Sequence, residues 1–479
     1  MRKRENHWFI HPGFKPTGYF LKEGIAYEIT LNRKVTADEA DIVKLTVGQW
    51  GQYKNPMINQ TEDNFSNYEI SKDSKKVSLT AENPGVLYVN DSNQTNLRVT
   101  NITTQNQNDI IKIPTFKLNK SNQNNFINDV LKTNSPLVEF VSDHFIATMQ
   151  TEMIQNKVIP LYKRDRERMF NEVLQNWDKG WHLTNKIWGL DENDTGINHK
   201  YPQYIHIANE DKSGGYANTT DGRLMFHNAS AAGEELFIWE ESNYLNPLWH
   251  ELAHTYQTPG YRFSNVGETT NEIITVYVKQ TLWNVKPKVF SFRDTVKEYL
   301  NKSDEKRDFL SLKEDHSYNT WTKISMFWQL HMAFGDNFYP LLNQKYRKIS
   351  WDLNWNDGLN SDEVKVQEFI KITSQLTGYN LAQFFVKWGL PPNQATIDEV
   401  RQYKDLTRPI WDNVVDPKTE NSPIVQKKLI YKEQSNYKKE NERYLNLEKN
   451  TVLLNNKGNI VYIFLNVNIL PKKYYFLTS

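Results

Sequence analysis

The chain has 479 residues, of which 38% are hydrophobic and 13% aromatic, and this content excludes an intrinsically disordered protein. Lys and Arg number 58 against 57 Asp and Glu, so the formal net charge of +1 creates no overall field that would favour nucleic acid or an anionic membrane. The absence of cysteine excludes disulfides, thiolate metal sites and thiol nucleophiles, and it leaves histidines and carboxylates as metal ligands. The length exceeds what one hydrophobic core organises, so we expect two or three domains.

The beginning of the chain, MRKRENHWFIHPG, has basic residues but lacks the apolar core of a signal peptide. No apolar run reaches the roughly 18 residues that a membrane helix requires. We therefore expect no membrane span, and no signal peptide is visible.

Residues 1–135 are predicted to form an N-terminal β domain. The runs GYFLKEGIAYEITL, DIVKLTVGQWGQY, KKVSLTAENPGVLYV and NLRVTNI have the composition of short strands separated by turns. From 103 to 135 the sequence is rich in Asn and Gln apart from IIKIPTFKL, and we place a boundary near 135. The pattern fits the strands of a β-sandwich or of a small barrel.

Residues 136–415 are predicted to form a mainly helical region. Strand patterning in SPLVEFVSDHFIATMQ precedes an amphipathic helix at 163–188, whose apolar side contains Met169, Phe170, Val173, Leu174 and Trp177. Two strands, QYIHIANE and RLMFHNA, flank a predicted long turn, DKSGGYANTTDG. TWTKISMFWQLHMAFG and VKVQEFIKITSQLTGYNLAQFFVKWG have helical spacing, with stops predicted at Gly378 and Gly389.

The last segment, residues 416–479, has 11 Lys and Arg against 6 Asp and Glu. Within it, TVLLNNKGNIVYIFL predicts a β-hairpin that turns at 456–458. We interpret the segment as a basic tail and as the start of an incomplete β module.

The segment LNPLWHELAHTYQTPGYRFSNVGETTNEI, residues 245–273, carries the chemistry. Asn246 can cap a helix that has Pro247 at its first position, where the missing N–H has no cost. TPG at 258–260 can end this helix. PLWHELAHTYQ is therefore predicted to be one helix.

Two histidines four residues apart, His250 and His254, share one face of this predicted helix. They can bind one zinc ion, and Glu251 beside them can reach a water at that ion. The opposing interpretation is a helix with two ordinary histidines, one packed and one solvated.

A catalytic zinc usually has three protein ligands and an open position, so a third ligand must come from elsewhere. The next predicted helix, SNVGETTNEIITVYVKQTL, has Glu268 and Glu272 one turn apart. We favour Glu268 as the ligand, with Glu272 hydrogen-bonded to the outer nitrogen of one histidine. Alternatively, Glu268 forms a capping box with Asn265, and Glu272 is then the ligand.

Three further polar residues lie near the motif. Gln257 is a candidate for contact with a ligand or with substrate, or a solvated helix residue. His206 and His227 lie on the predicted flanking strands, and we interpret both as structural.

These residues resemble the enhancin-type, mucin-directed zinc metallopeptidases, which are gluzincins. The resemblance rests on HELAHTYQ at 250–257 and GETTNEI at 267–273, with upstream support from PTGYFLKEG and PLVEFVSDHFIATMQTE. Family members place a glutamate after HExxH, often in an E-x-T-N setting, and here 13 residues separate His254 from Glu268. The family commonly has Asn after the TN pair, where this chain has Glu272.

The resemblance implies an α+β multidomain protein in which an N-terminal β-sandwich-like domain precedes a mainly helical, thermolysin-like catalytic domain. It implies a zinc ion held by His250, His254 and Glu268, with Glu251 as general base. The implied substrate is mucin or another O-glycosylated protein. The implied location is extracellular or virion-associated.

Two other functions stay open. The aromatic-rich composition and the β-rich N-terminal part also fit a glycan-binding adhesin whose peptidase region is inactive or truncated. HExxH alone does not select a substrate, so a general peptidase without glycan preference is the third interpretation.

Overall fold

The computed structural model describes residues 5, 9, 11–40, 42–91, 95–165, 168–212, 215–238, 246–315, 317–349, 361–415, 425–429, 452–454 and 460–462. The chain divides into two compact units, Met1–Leu429 and Ile430–Ser479. The first unit contains two small antiparallel sheets, one larger mixed sheet and a helical region.

Eight short strands build the two antiparallel sheets: β1 (Phe14–Leu21), β2 (Ala26–Leu31), β3 (Lys44–Gln49), β4 (Asn64–Glu69), β5 (Lys76–Thr80), β6 (Gly85–Asn90), β7 (Val99–Thr103) and β8 (Ile111–Lys112). One sheet has the order β4-β3-β6-β1-β8 and the other β5-β2-β7. Alternate residues of β5 are buried and exposed, as expected for a strand with one face on a core. Side chains from both sheets share that core, namely Leu21, Tyr27, Ile29, Leu45, Val47, Val77, Leu79, Leu87, Val89 and Ile102. Two antiparallel sheets around one core are the arrangement of a sandwich.

The larger sheet has six strands: β9 (Thr115–Lys117), β10 (Leu137–Val141), β11 (Phe145–Gln150), β12 (Ile205–Glu210), β13 (Ala217–Thr220) and β14 (Arg223–His227). Their order is β13-β14-β12-β11-β10-β9. The pairs β10–β11 and β13–β14 are antiparallel and the others parallel. Every residue of β10, β11, β12 and β14 is buried, because both faces of the sheet are covered.

One third of the segment predicted as a long turn, four of its twelve residues, is the edge strand β13, so that prediction was wrong. Thr219 pairs with Leu224 in the antiparallel ladder. The sequence ANTT has no apolar alternation, and the strand is half-buried to exposed. Backbone pairing at the sheet edge holds it in place, and this leaves little trace in the side-chain pattern.

Fifteen α-helices lie in the part of the chain that the structure describes: α1 (Ala37–Ala40), α2 (Gln123–Lys132), α3 (Thr151–Met153), α4 (Ile159–Arg164), α5 (Phe170–Trp188), α6 (Ala232–Glu235), α7 (Asn246–His254), α8 (Gly267–Thr270), α9 (Glu272–Trp283), α10 (Arg293–Leu300), α11 (Tyr318–Phe334), α12 (Phe338–Lys348), α13 (Asp362–Thr377), α14 (Ala382–Lys387) and α15 (Gln394–Val400). A π-helical turn, Ile154–Val158, joins α3 to α4, and two short parallel strands, β15 (Tyr379–Asn380) and β16 (Lys404–Asp405), lie among the last helices. Over the described residues, no helix combines the length and the apolar content needed to cross a membrane.

The helix predictions hold for α11, α13 and α14. Gly378 ends α13 in the left-handed conformation, with φ of 74°, and Gly389 follows α14 with φ of 75°. The predicted helix at 163–188 begins later, at Phe170. Met169 is extended and 41% exposed, so it does not belong to the apolar side of the helix.

The second unit is described at two strands, β17 (Val452–Leu454) and β18 (Ile460–Tyr462), which pair antiparallel. This pairing agrees with the predicted hairpin, whose turn at 456–458 lies outside the described residues. The strand β9 comes from the segment before 135 and pairs with β10. The division of the chain at 135 and 415 stays a prediction.

Helix α5 is the buried support of the helical region. Its Trp177, Trp181 and Trp188 are almost completely buried. On the side facing α7, a Cβ on Gly180 would lie 2.1 Å from Cη2 of the buried Trp249, so only glycine permits this approach. The absence of a side chain at Gly180 therefore allows α7 to pack closely against α5.

We expect Gly180→Ala to lower the free energy of unfolding by about 2 kcal/mol. The overpacking against Trp249 outweighs the roughly 1 kcal/mol by which alanine favours a helix. Denaturant unfolding measures the change. The exposed neighbour Lys179 provides the control, since Lys179→Ala should stay within about 0.5 kcal/mol of the parent. A Gly180→Ala chain as stable as the parent would contradict the tight packing.

Candidate metal centre

Helix α7 carries the HELAH segment and is shorter than predicted. It runs from Asn246 to His254, and i to i+3 hydrogen bonds follow, from the N–H of Thr255 to Leu252 and of Tyr256 to Ala253. The predicted cap by the Asn246 side chain lies outside the described residues. Because the helix ends at His254, Gln257 lies in the turn that follows it.

Three donor atoms meet where α7 faces α8. Oε2 of Glu268 lies 3.0 Å from Nε2 of His250 and 3.3 Å from Nε2 of His254. The two Nε2 atoms are 3.3 Å apart. For metal–ligand bonds of about 2.0–2.1 Å, two ligands of a tetrahedral zinc ion are separated by about 3.3 Å. The donor set therefore fits a divalent zinc-like ion in both chemistry and spacing.

The outer nitrogens of both histidines have carbonyl or carboxylate partners. Nδ1 of His250 lies 2.7 Å from Oε1 of Glu272, and Nδ1 of His254 lies 3.1 Å from Oε1 of Gln257. A proton on each Nδ1 satisfies these contacts and leaves the lone pair of each Nε2 directed at the other donors. The surrounding residues thus select the tautomer that a metal ion requires.

The alternative in which Glu268 caps its helix is wrong. The N-cap of α8 is Val266 and has no side-chain cap. Asn265, the proposed capping partner, has φ of 56°, and its Nδ2 donates to the carbonyl of Leu310 at 2.9 Å. The Glu268 carboxylate lies instead with the two histidines.

The charges of the cluster favour a bound cation. Burial would lower the pKa of His250, but hydrogen bonds to Glu268 and Glu272 raise it well above its ordinary value. Burial would raise the pKa of Glu268, whereas the contacts with His250 and His254 lower it below its ordinary range. Both pKa shifts arise because carboxylates and imidazoles lie close together in this cluster. The ionised carboxylates attract positive charge, and a divalent cation supplies that charge as protons do.

Glu251 follows His250 on α7 and is only 5% exposed. The hydroxyl of Thr219 on the edge strand β13 donates to its Oε2 at 2.7 Å and lies 2.9 Å from its backbone oxygen. One oxygen of the carboxylate is therefore fixed, which orients the other. Thr219 was missed because it lies in the segment predicted as a turn, and no local signal identifies it.

Asn271 is a second residue that the sequence did not single out. It is completely buried between α8 and α9, and its Nδ2 lies 3.2 Å from Nε2 of His254 and 3.3 Å from Nε2 of His250. Its place in ETTN, the segment that also supplies Glu268, is the one available signal. Asn271 closes the inner side of the donor cluster.

His206 and His227 lie outside this cluster, as expected. His206 packs among aromatic rings, with Trp50 at 4.9 Å between ring centroids. Nε2 of His227 lies 3.1 Å from Oε1 of Glu210 on the neighbouring strand. Both positions are consistent with structural roles.

Gln257 connects the two helices that carry the donors. Its Nε2 donates to the carbonyl of Gly267 at 2.6 Å and to Oγ1 of Thr270 at 2.7 Å. Its Oε1 accepts from Arg262 at 3.3 Å and faces His254. The side chain is 1% exposed, so each of these bonds is made away from water.

We expect Gln257→Ala to lower the free energy of unfolding by about 2–3 kcal/mol. The change leaves buried donors and acceptors on both helices without partners. Denaturant unfolding of the metal-free chain measures this effect. Gln280 on α9 supplies the matched control, because among the described residues its side chain has no hydrogen bond. If Gln257→Ala and Gln280→Ala lowered the free energy of unfolding equally, the hydrogen bonds of Gln257 would not be what stabilises this region.

Curated relatives are similar over much of this chain. TRPM8 channel-associated factor 3 of Mus musculus is 22% identical over 401 residues, which is 79% of this chain and 38% of the relative. TRPM8 channel-associated factor 2 of Mus musculus is 22% identical over 410 residues, 83% of this chain and 39% of the relative. The chain thus spans less than two fifths of these relatives.

Solved structures share the fold. A functionally unknown conserved protein from Bacillus anthracis str. Ames matches with a TM-score of 0.71 at 23% identity, over 90% of this chain and 81% of that one. The ZmpB metallopeptidase from Clostridium perfringens matches with a TM-score of 0.65 at 15% identity, over 87% of this chain and 80% of that one. The N-terminal β region and the helical region both fall within these matches.

The family resemblance drawn from HELAHTYQ and GETTNEI is confirmed. The matching family is described as Peptidase M60, enhancin and enhancin-like, and the match covers residues 109–389, more than half of the chain. The cluster of His250, His254 and Glu268 lies inside this range. This chain therefore belongs to the Peptidase M60, enhancin and enhancin-like family.

Proposed function

We propose that this chain is a zinc-dependent endopeptidase that hydrolyses mucin or other O-glycosylated proteins. The observation that carries the proposal is the convergence of three donors, His250, His254 and Glu268, beside the buried carboxylate of Glu251. Membership of the M60 peptidase family supports the reaction class. If His250 and His254 were two ordinary histidines, their contacts with Glu268 and the contacts of their Nδ1 atoms would have no explanation.

The substrate class is supported by structural relatives. The M60 catalytic domain of ZmpC from Clostridium perfringens was solved with the sialyl T antigen, and it matches with a TM-score of 0.63 at 15% identity, over 87% of this chain and 80% of that one. Another metallopeptidase was solved with Tn antigen. We extend glycoprotein recognition to this chain, together with an extracellular or virion-associated location and a thermolysin-like arrangement of the catalytic domain.

In the proposed mechanism His250, His254 and Glu268 hold the zinc ion. A zinc ion bound there would supply Lewis acidity to the scissile carbonyl and to the attacking water. Glu251 accepts the proton of that water and delivers it to the leaving amine. Its burial keeps the carboxylate away from competing solvent.

Neighbouring residues orient these groups. Thr219 binds one carboxylate oxygen of Glu251, and we assign the other oxygen to the water. Glu272 and Gln257 hold the two imidazoles by their Nδ1 atoms. Loss of such supporting contacts typically weakens metal binding or activity by about 10- to 100-fold.

Glu251→Gln should abolish cleavage while zinc stays bound. Removal of a general base lowers the rate by about 10²- to 10⁴-fold, whereas the three ligands are unchanged. The assay is digestion of an intestinal-type mucin with and without a chelator, alongside zinc analysis. Glu298→Gln, at an exposed position of α10, is the control. Normal cutting by Glu251→Gln would refute the mechanism.

The same assay decides the substrate class when enzymatically deglycosylated mucin is included. Chelator-sensitive cutting confined to the glycosylated form supports the proposal. Equal cutting of both forms identifies a general peptidase. Glycan binding without cutting of either form identifies an adhesin with an inactive peptidase region.

Thr219→Val should lower kcat by about 10-fold and change KM little. The hydroxyl acts on the orientation of Glu251, to which it donates a hydrogen bond. Thr219→Ser retains the hydroxyl and should restore most of the rate. A Thr219→Val enzyme with unchanged kcat, or a serine variant that fails equally, would show that the contact has no catalytic effect.

A further inference from the structure

A second group of potential metal ligands lies apart from the cluster of His250, His254 and Glu268. It consists of His144 in the turn between β10 and β11, His182 in the second half of α5, and Glu192 in the loop after α5. One ligand atom from each residue lies within 4.8 Å of the others. His144 and Glu192 are half-buried and His182 is exposed, so solvent reaches the group.

Ring stacking holds the His144 imidazole in place, whereas the side chains of His182 and Glu192 can still rotate. The ring of His144 stacks on Trp181 at 3.7 Å between centroids and 8° between planes. The ring of His182 stands nearly perpendicular to it, at 4.9 Å and 84°. Nδ1 of His144 lies 3.9 Å from Oε1 of Glu192. Rotation of the more exposed His182 and Glu192 side chains can close the group to the spacing of about 3.3 Å that zinc requires.

The ligand atoms of this group make no hydrogen bonds to the other described residues. Within the described part of the chain, neither imidazole and no Glu192 oxygen makes a hydrogen bond, and 3.9 Å is too long for one. Stacking on Trp181 accounts for the packing of His144, but it does not account for the approach of the other two.

The backbone and charges around the group suit a cation. Asp178 on α5 accepts from the backbone N–H of His144 at 3.1 Å and so fixes the turn that presents this residue. Asp143 and Asp191 add negative charge near His182. Lys200 opposes a cation, but its Nζ lies 2.8 Å from Oε2 of Glu5, which offsets its charge.

The second group is separate from the cluster of His250, His254 and Glu268. Gly180 faces Trp249 on α7, whereas His182, two residues further along α5, is exposed. Two residues on an α-helix are about 200° apart around its axis, so His182 lies on nearly the opposite side. Helix α5 thus stands between the two groups.

We propose that His144, His182 and Glu192 form a second metal site that takes a borderline divalent cation, with zinc as the best match. Two imidazoles and one carboxylate are the ligand types that zinc accepts, and three ligands leave a position for solvent. The ion ties the β10–β11 turn and the loop after α5 to α5 itself. The site is independent of the proposed peptidase activity.

The test is the number of zinc ions bound per full-length chain, measured by equilibrium dialysis at micromolar free zinc followed by elemental analysis. We expect two for the parent, one for His182→Ala and one for His254→Ala, and none for the double variant. Glu192→Gln should also bind one. His199→Gln is the control from the same loop, because His199 is outside the group and its Nδ1 lies 2.6 Å from the backbone oxygen of Asp194. It should keep two.

A second readout separates binding from misfolding. Zinc should raise the midpoint of thermal unfolding of His254→Ala and leave that of the double variant unchanged. Two zinc ions in His182→Ala, a single ion in the parent that His182→Ala retains, or occupancy only at millimolar zinc would each overturn the second site. An unchanged count in His254→Ala with a loss in His182→Ala would instead refute the proposed catalytic centre and uphold this one.

Discussion

Three donor atoms from two helices meet within 3.3 Å, at His250, His254 and Glu268. Partial removal of a carboxylate and two imidazoles from water is unfavourable unless each polar atom has a partner. The contacts around the cluster supply those partners. Glu272 and Gln257 bind the outer imidazole nitrogens, and this fixes where α8 and α9 can lie relative to α7.

The support for this cluster comes from layers that are themselves rigid. Helix α5 packs on α7 through Gly180, and Oδ1 of Asn185 accepts from the hydroxyl of Tyr256 at 2.8 Å just beyond the end of α7. On the other side, β13 brings Thr219 to Glu251. The donor helix thus depends on two elements distant in sequence, α5 and β13, although His250 and His254 are four positions apart.

The sequence predicted the parts of the site that depend on local spacing. His250, Glu251 and His254 are related by helical periodicity, and a short helix suffices to put them on one face. Glu268 required the family resemblance, because its distance along the chain does not determine where α8 packs. Glu272 was expected to meet the outer nitrogen of a histidine, and it does so at 2.7 Å from Nδ1 of His250.

The contacts that escaped prediction are those made across the fold. Thr219 lies on an edge strand whose residues show no apolar alternation, and Asn271 acquires its place only when α8 meets α7. The same reasoning explains Met169, which continues the apolar pattern of α5 but precedes its first turn. His144, His182 and Glu192 come from three elements without shared periodicity, so only the folded chain brings them together.

The donor chemistry of this chain has a consequence for the conditions under which it keeps its structure. With no cysteine in the sequence, no disulfide stabilises the fold, and no thiol can be oxidised or captured by electrophiles. Imidazole and carboxylate donors are equally indifferent to thiol-reactive compounds and to reducing agents. Such a centre keeps its ligands in oxidising and in reducing surroundings, whereas strong acid disables it because acid protonates the donors.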